Sequence, residues 1–96
     1  MKGRVMSFKL KREHVAEAAK RWPGYAVNFK GKGLLAMYMM VDEATCEALS
    51  VTIWESEAAM KANEARTDLR DHFRSFEPYY DGAPSWRYFD VRASLT

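Results

Sequence analysis

Ninety-six residues, 48% hydrophobic and 29% charged, suffice for one compact domain with a real core and have an ordinary globular composition. A formal net charge of +2, with no dense Lys/Arg patch among aromatics, excludes the usual electrostatic footprint of a nucleic-acid binder. The longest apolar run, GLLAMYMMV, is far short of the roughly 20 residues that span a bilayer, and the lone Cys46 rules out an internal disulfide framework.

The N-terminal segment lacks a signal-peptide core, because Lys9, Lys11 and Arg12 interrupt it, so the expected compartment is the cytoplasm. Residues 4–10, RVMSFKL, alternate: Met6, Phe8 and Leu10 point one way, which predicts a strand. In KREHVAEAAKRW, Val15, Ala18, Ala19 and Trp22 recur at helical spacing, and Pro23-Gly24 is expected to stop that helix. A polar, glycine-punctuated loop is expected from Tyr25 to Lys32. Strands are predicted over Leu34–Val41 and Cys46–Trp54, joined by a DEAT turn.

Ser56 is a good N-cap for a long helix expected over 57–76, with Glu55 and Glu57 where the helix dipole favours carboxylates and Pro78 ending it. DGAP forms a turn, and WRYFDVRA is a last strand. The order β-α-β-β-α-β predicts an α+β, ferredoxin-like sandwich, a four-stranded antiparallel sheet with both helices on one face. Along 46–54, Leu49, Val51 and Ile53 form an apolar face opposite Cys46, Ala48, Ser50, Thr52 and Trp54, and along 34–41 neither face is clearly polar, since Leu35, Met37 and Met39 oppose Leu34, Ala36, Tyr38 and Met40. Two helices cover only one such face, so a second copy of the chain is expected over the other, as a homodimer.

The junction ALSVTIWESEAAMKA turns from strand to helix within two residues of Trp54. Its W-x-S-x-x-A pattern, within GLLAMYMMVDEATCEALSVTIWESEAAM, resembles the antibiotic biosynthesis monooxygenase family of the dimeric α+β barrel superfamily, over the whole chain as one domain, 1–96. The resemblance implies a pocket between sheet and helices, with Ser50, Thr52 and Trp54 facing it and Leu49, Val51 and Ile53 entering the dimer barrel. If Val41 pairs with Cys46, Met37 falls opposite Ser50 and Met39 opposite Ala48, all on the pocket face. Trp54 is then a cavity wall, with room left by its small neighbours.

Cofactor-free oxygenases of this family bind an electron-rich phenol or hydroquinone dry, help remove a proton and stabilise the anion. They use an Asn before the junction Trp, a His on the second strand, the Trp itself, and a Tyr and an Arg on the second helix. The corresponding positions here hold Ser50, Met39, Trp54, Met60 and, with a short gap, Arg70. The family's haem degraders use an Asn, a Trp and a His ligand where this chain has Met6, Asn63 and Phe73, with His72 one residue off register. A one-residue shift turns a side chain by about 100° on a helix.

The inward stripe of the long helix is expected to read Ala59, Ala62, Arg66, Leu69, Phe73, Phe76, flanked by Asn63 and Arg70. Arg66 either snorkels to solvent or forms an anion site facing Trp54, and the sequence leaves Arg66 and Arg70 as alternatives for the inward residue. Met6, Met37, Met39 and Met60 would line the same cavity as adaptable gap-fillers. No His joins them and Cys46 at copper-ligand spacing, and no metal site is expected.

The expected function is a cofactor-independent monooxygenase-like protein for a small aromatic or quinol-type compound. Trp54, Arg66 and Arg70 would act on the substrate, and Ser50 and Asn63 would orient it. The alternative is a non-catalytic dimeric domain binding a hydrophobic metabolite, with haem binding through His72 a distant third. No nucleic-acid or membrane partner is expected.

Overall fold

In a computed structural model, which describes residues 1–96, strand β1 (Lys2–Lys9) lies at the centre of a four-stranded antiparallel sheet. It pairs with β3 (Glu47–Trp54) on one side and β4 (Ser85–Asp90) on the other, and β2 (Leu34–Val41) flanks β3 to give the order β2-β3-β1-β4. Helices α1 (Val15–Ala26), α2 (Glu57–Glu64) and α3 (Arg70–Arg74) complete the fold, and α1 and α2 pack on one face of the sheet. This is the expected ferredoxin-like α+β sandwich.

Alternation along β1 buries Met6, Phe8 and Leu10 against α1, where Ala18, Trp22 and Ala26 form the inner stripe and Ala19 is exposed. Phe8 stacks on Trp22 with ring centroids 4.9 Å apart, and Phe76 meets the same indole edge-on. A smaller cluster of Phe29, Trp54 and Met60 fills the opposite end.

Four sequence expectations need correction. Pro23 does not stop α1 but sits inside its last turn, where it removes a single backbone donor. The helix ends three residues later, where the Asn28 amide donates to the carbonyls of Tyr25 (2.9 Å) and Gly24 (3.3 Å) and one 3-10 turn follows. Cys46 lies in the turn rather than in β3, with φ 65, its backbone N–H donating to the Asp42 carbonyl. Val41 therefore pairs with Ala48, Met39 with Ser50 and Met37 with Thr52, a two-residue slide that leaves the side chains from Ala36 to Val41 on their expected faces, while a register shift between Leu34 and Ala36 turns Leu34 toward Trp54 and leaves Leu35 exposed.

The helix expected over 57–76 is two. Ser56 caps α2, its hydroxyl accepting from the Ala59 N–H at 3.1 Å. Beyond Glu64 the Arg66 guanidinium grips Asp68 two residues on, a pairing of side chains that would point apart on a continuous helix. The inward stripe changes accordingly: Met60 and Asn63 are buried and Ala62 is exposed.

The far face of the sheet carries no helix. Tyr38 is 62% exposed, Met40 51%, Phe89 42% and Leu49 37%, an apolar surface of the kind that marks an interaction site.

Candidate functional site

Between sheet and helices lies a cavity of about 380 Å³, within the range of small-molecule sites. Its walls are mostly apolar. Trp54 closes one end, wholly buried, and its indole N–H donates to the Thr52 hydroxyl at 3.0 Å. Trp22 donates to the Ser50 hydroxyl at 2.9 Å. Two tryptophans are thus pinned to one strand by the small hydroxyl residues between them. Serine and threonine at 50 and 52 both leave room for the rings and orient them.

The polar groups gather where α2 gives way to α3. The Asn63 amide donates to the carbonyls of Ala59 (2.8 Å) and Lys32 (3.0 Å). Two carbonyl partners fix the amide nitrogen there, so its oxygen is the group left to accept from a ligand. Arg66 and Arg70 both line the cavity. They differ in charge compensation. Arg66 holds Asp68 through Nε (3.1 Å) and Nη2 (2.7 Å) and donates from Nη1 to the Asn28 carbonyl. The hydrogen bond from Arg66 holds the Asp68 carboxyl below its usual range. Arg70 has no acidic partner.

Met6 and Met37 line the cavity as well. Met39 packs against the Phe8–Trp22 cluster instead, and Met60 stands behind Trp54 and Phe29, so neither reaches the cavity wall. His72 stacks over Phe76 (5.9 Å) and meets Tyr25 edge-on (5.4 Å), outside the lining. No histidine faces the cavity, and no cluster of His, Cys, Asp and Glu could hold a metal ion.

Several lining residues escape the sequence reading. Arg4 lies over the Trp54 ring at 5.7 Å and contacts Glu64 at 3.8 Å. Extending the Met6–Phe8–Leu10 alternation back by two residues would have placed it. Glu64 accepts from the Tyr88 hydroxyl at 2.8 Å. Tyr25 reaches the cavity because α1 runs through Pro23. Burial raises its phenol pKa, so it stays protonated at neutral pH, and its hydroxyl takes no protein hydrogen bond.

No protein-family model and no curated protein matches the chain in sequence. Solved structures match it closely in shape. A candidate antibiotic biosynthesis monooxygenase from Caulobacter crescentus CB15 superposes with TM-score 0.81 at 20% identity, over 96% of this chain and 90% of that one. SnoaB, a cofactor-independent oxygenase from Streptomyces nogalater, gives 0.80 at 14% identity over 98% and 95%. The fold is that of the antibiotic biosynthesis monooxygenases. An arginine-to-serine mutant of MhuD, with two manganese protoporphyrin IX molecules bound per active site, gives 0.79 at 19% identity over 100% and 99%. No imidazole lines the cavity of this chain, and His72 stacks on Phe76 and packs against Tyr25 instead. The residues do not fit an axially ligated haem.

Proposed function

We propose that the protein is a cofactor-independent monooxygenase acting on a small aromatic or quinol-type compound, as a single domain in a homodimer. The observation that carries this reading is the combination, in one cavity, of tryptophan walls and an arginine without an acidic partner. A planar phenol or hydroquinone suits the slot beside Trp54 and Trp22, where closure against water strengthens each polar contact. Arg70 faces the oxygen that becomes anionic, with Arg66 behind it as a fixed, Asp68-compensated cation. The free Asn63 oxygen and the Ser50 hydroxyl orient the ligand's remaining hydroxyls.

The uncovered sheet face supports the homodimer. Burying Tyr38, Met40, Leu49 and Phe89 against a second copy would remove the largest exposed apolar side chains on that face. No helix is long and apolar enough to cross a membrane. The single buried thiol suits a reducing compartment, and we place the protein in the cytoplasm.

The test is oxygen uptake with 1,4-naphthohydroquinone in chelator-treated buffer. Uptake above the uncatalysed rate is expected, lost under argon and reduced about 10²-fold by Arg66→Ala and Arg70→Ala together, the scale of a lost oxyanion partner. Product formed equally under argon, or unchanged turnover in the double variant, refutes it. A non-catalytic binder of a hydrophobic metabolite is the second reading, favoured by Met39 and Met60 standing at the family's His and Tyr positions. Binding of the quinol without oxygen uptake would select it.

A further inference from the structure

Removing a proton from a phenol needs an acceptor, and the cavity offers few. No histidine, aspartate or cysteine lines it. Tyr25 is held protonated by burial, and the Ser50 and Thr52 hydroxyls are engaged by the two indoles. Glu64 is the only carboxylate on the wall. Its setting is unusual for a surface glutamate. It is the last residue of α2, where the negative end of the helix dipole disfavours a carboxylate. Arg4 and Tyr88 are direct cross-strand neighbours on β1 and β4, and both converge on it from the sheet. Both contacts fall on one oxygen, Oε2: the Tyr88 hydroxyl at 2.8 Å and Arg4 Nη1 at 3.8 Å. Oε1 takes no protein hydrogen bond.

We infer that Glu64 is the proton acceptor of the cavity, with Arg4 and Tyr88 as positioning residues that hold Oε2 and leave Oε1 for the ligand. This rests on the proposed reading that the cavity binds a phenol. In the step, the ligand O–H bond breaks, its electron pair stays on the ligand oxygen, and the proton forms a new O–H bond on Oε1. The Glu64 side chain is 30% exposed, so the proton passes on to bulk water. Burial, then the bond to Glu64, raises the Tyr88 pKa, which keeps that hydroxyl a donor throughout. The charged and titratable groups facing Glu64 are Arg4 from β1, Tyr88 from β4 and Tyr25 from α1.

The probe is 2-naphthol, which becomes a strong acid on excitation and emits as naphtholate in proportion to how fast a base or water takes its proton within the excited-state lifetime. Bound at neutral pH and excited outside the tryptophan band, it is expected to emit as naphtholate. In Glu64→Gln, with affinity retained, the naphtholate-to-naphthol emission ratio should fall at least about tenfold. That is less than the ~10²-fold of a positioned base, because residual water accepts in part. Glu64→Asp, which retracts the carboxylate by one methylene, gives an intermediate ratio and serves if Gln fails to fold. Tyr88→Phe keeps naphtholate emission, since the carboxylate stays. An unchanged ratio in Glu64→Gln overturns the assignment but leaves the phenol-binding reading standing. Loss of naphtholate emission in Tyr88→Phe with emission kept in Glu64→Gln also overturns it. No binding of 2-naphthol overturns both.

Discussion

Gly33 offers a test of how the sheet and α2 are held together. Its φ is +102, and a Cβ built on it would lie 2.6 Å from the Ala59 Cβ, where ordinary contact begins at 3.4 Å. Gly33→Ala therefore meets two separate costs. The backbone cost of a side chain at this φ is about 1–3 kcal/mol. The overlap with the first turns of α2 adds about 1–3 kcal/mol. For a domain of this size each kcal/mol lowers Tm by about 4–8 °C, so a fall of at least about 8 °C is expected in thermal unfolding followed by circular dichroism. Ala59→Gly costs about 1 kcal/mol of its own in α2, so the steric part is read as a cycle: Gly33→Ala should lower Tm less in the Ala59→Gly background than in wild type. Equal melting of wild type and Gly33→Ala would refute the close approach. An equal fall in both backgrounds would refute the split into two terms. The same perturbation should weaken ligand binding, because the Lys32 carbonyl beside Gly33 is one of the two groups that orient the Asn63 amide.

The Tyr80 hydroxyl is buried without a partner, so Tyr80→Phe should be at least as stable as wild type, by up to about 1 kcal/mol in urea unfolding; clear destabilisation would reveal a bound water. The Asp68 pKa is lowered in the fold by Arg66, so the stability this pair contributes is present above the unfolded value of 3.8 and lost as pH falls through the folded value. Asp68→Asn should flatten that acid limb in a pH series of unfolding midpoints, and an unchanged limb would show the pair to be energetically silent. Met40→Lys on the open face should shift sedimentation equilibrium from dimer toward monomer, whereas an unaltered distribution would place the dimer contact elsewhere.

The sheet was legible in the sequence because strand alternation is a short-range signal. Met6, Phe8 and Leu10 fixed the inner face of β1, and even a two-residue error in pairing Val41 left Ser50 and Trp54 on the correct side. The helices were less so. Pro23 reads as a stop, yet α1 continues one turn past it to bury Ala26, despite the lost donor and the ring's crowding of the carbonyl four residues back. The break after Glu64 is accompanied by a side-chain pair, Arg66 with Asp68, that periodicity does not register. The grouping of Glu64 with its two partners was hidden for a different reason. Arg4, Glu64 and Tyr88 come from three elements: the register of β1 against β4 sets Arg4 beside Tyr88, and the end of α2 brings Glu64 to both.

The division of the long helix also separates two kinds of stability within one small domain. The cavity's outer wall from Ala65 to Arg74 rests on the five-residue α3 and a few turn hydrogen bonds, whereas the inner wall belongs to the fully laddered sheet. Opening that outer segment breaks its turn hydrogen bonds, the Arg66–Asn28 bond and the aromatic contacts of His72 and Phe73 but no sheet ladder, at a free energy below global unfolding. Amide protons there should exchange fastest among the ordered elements. Ligand residence time is then set by this short segment, independently of the strength of the core.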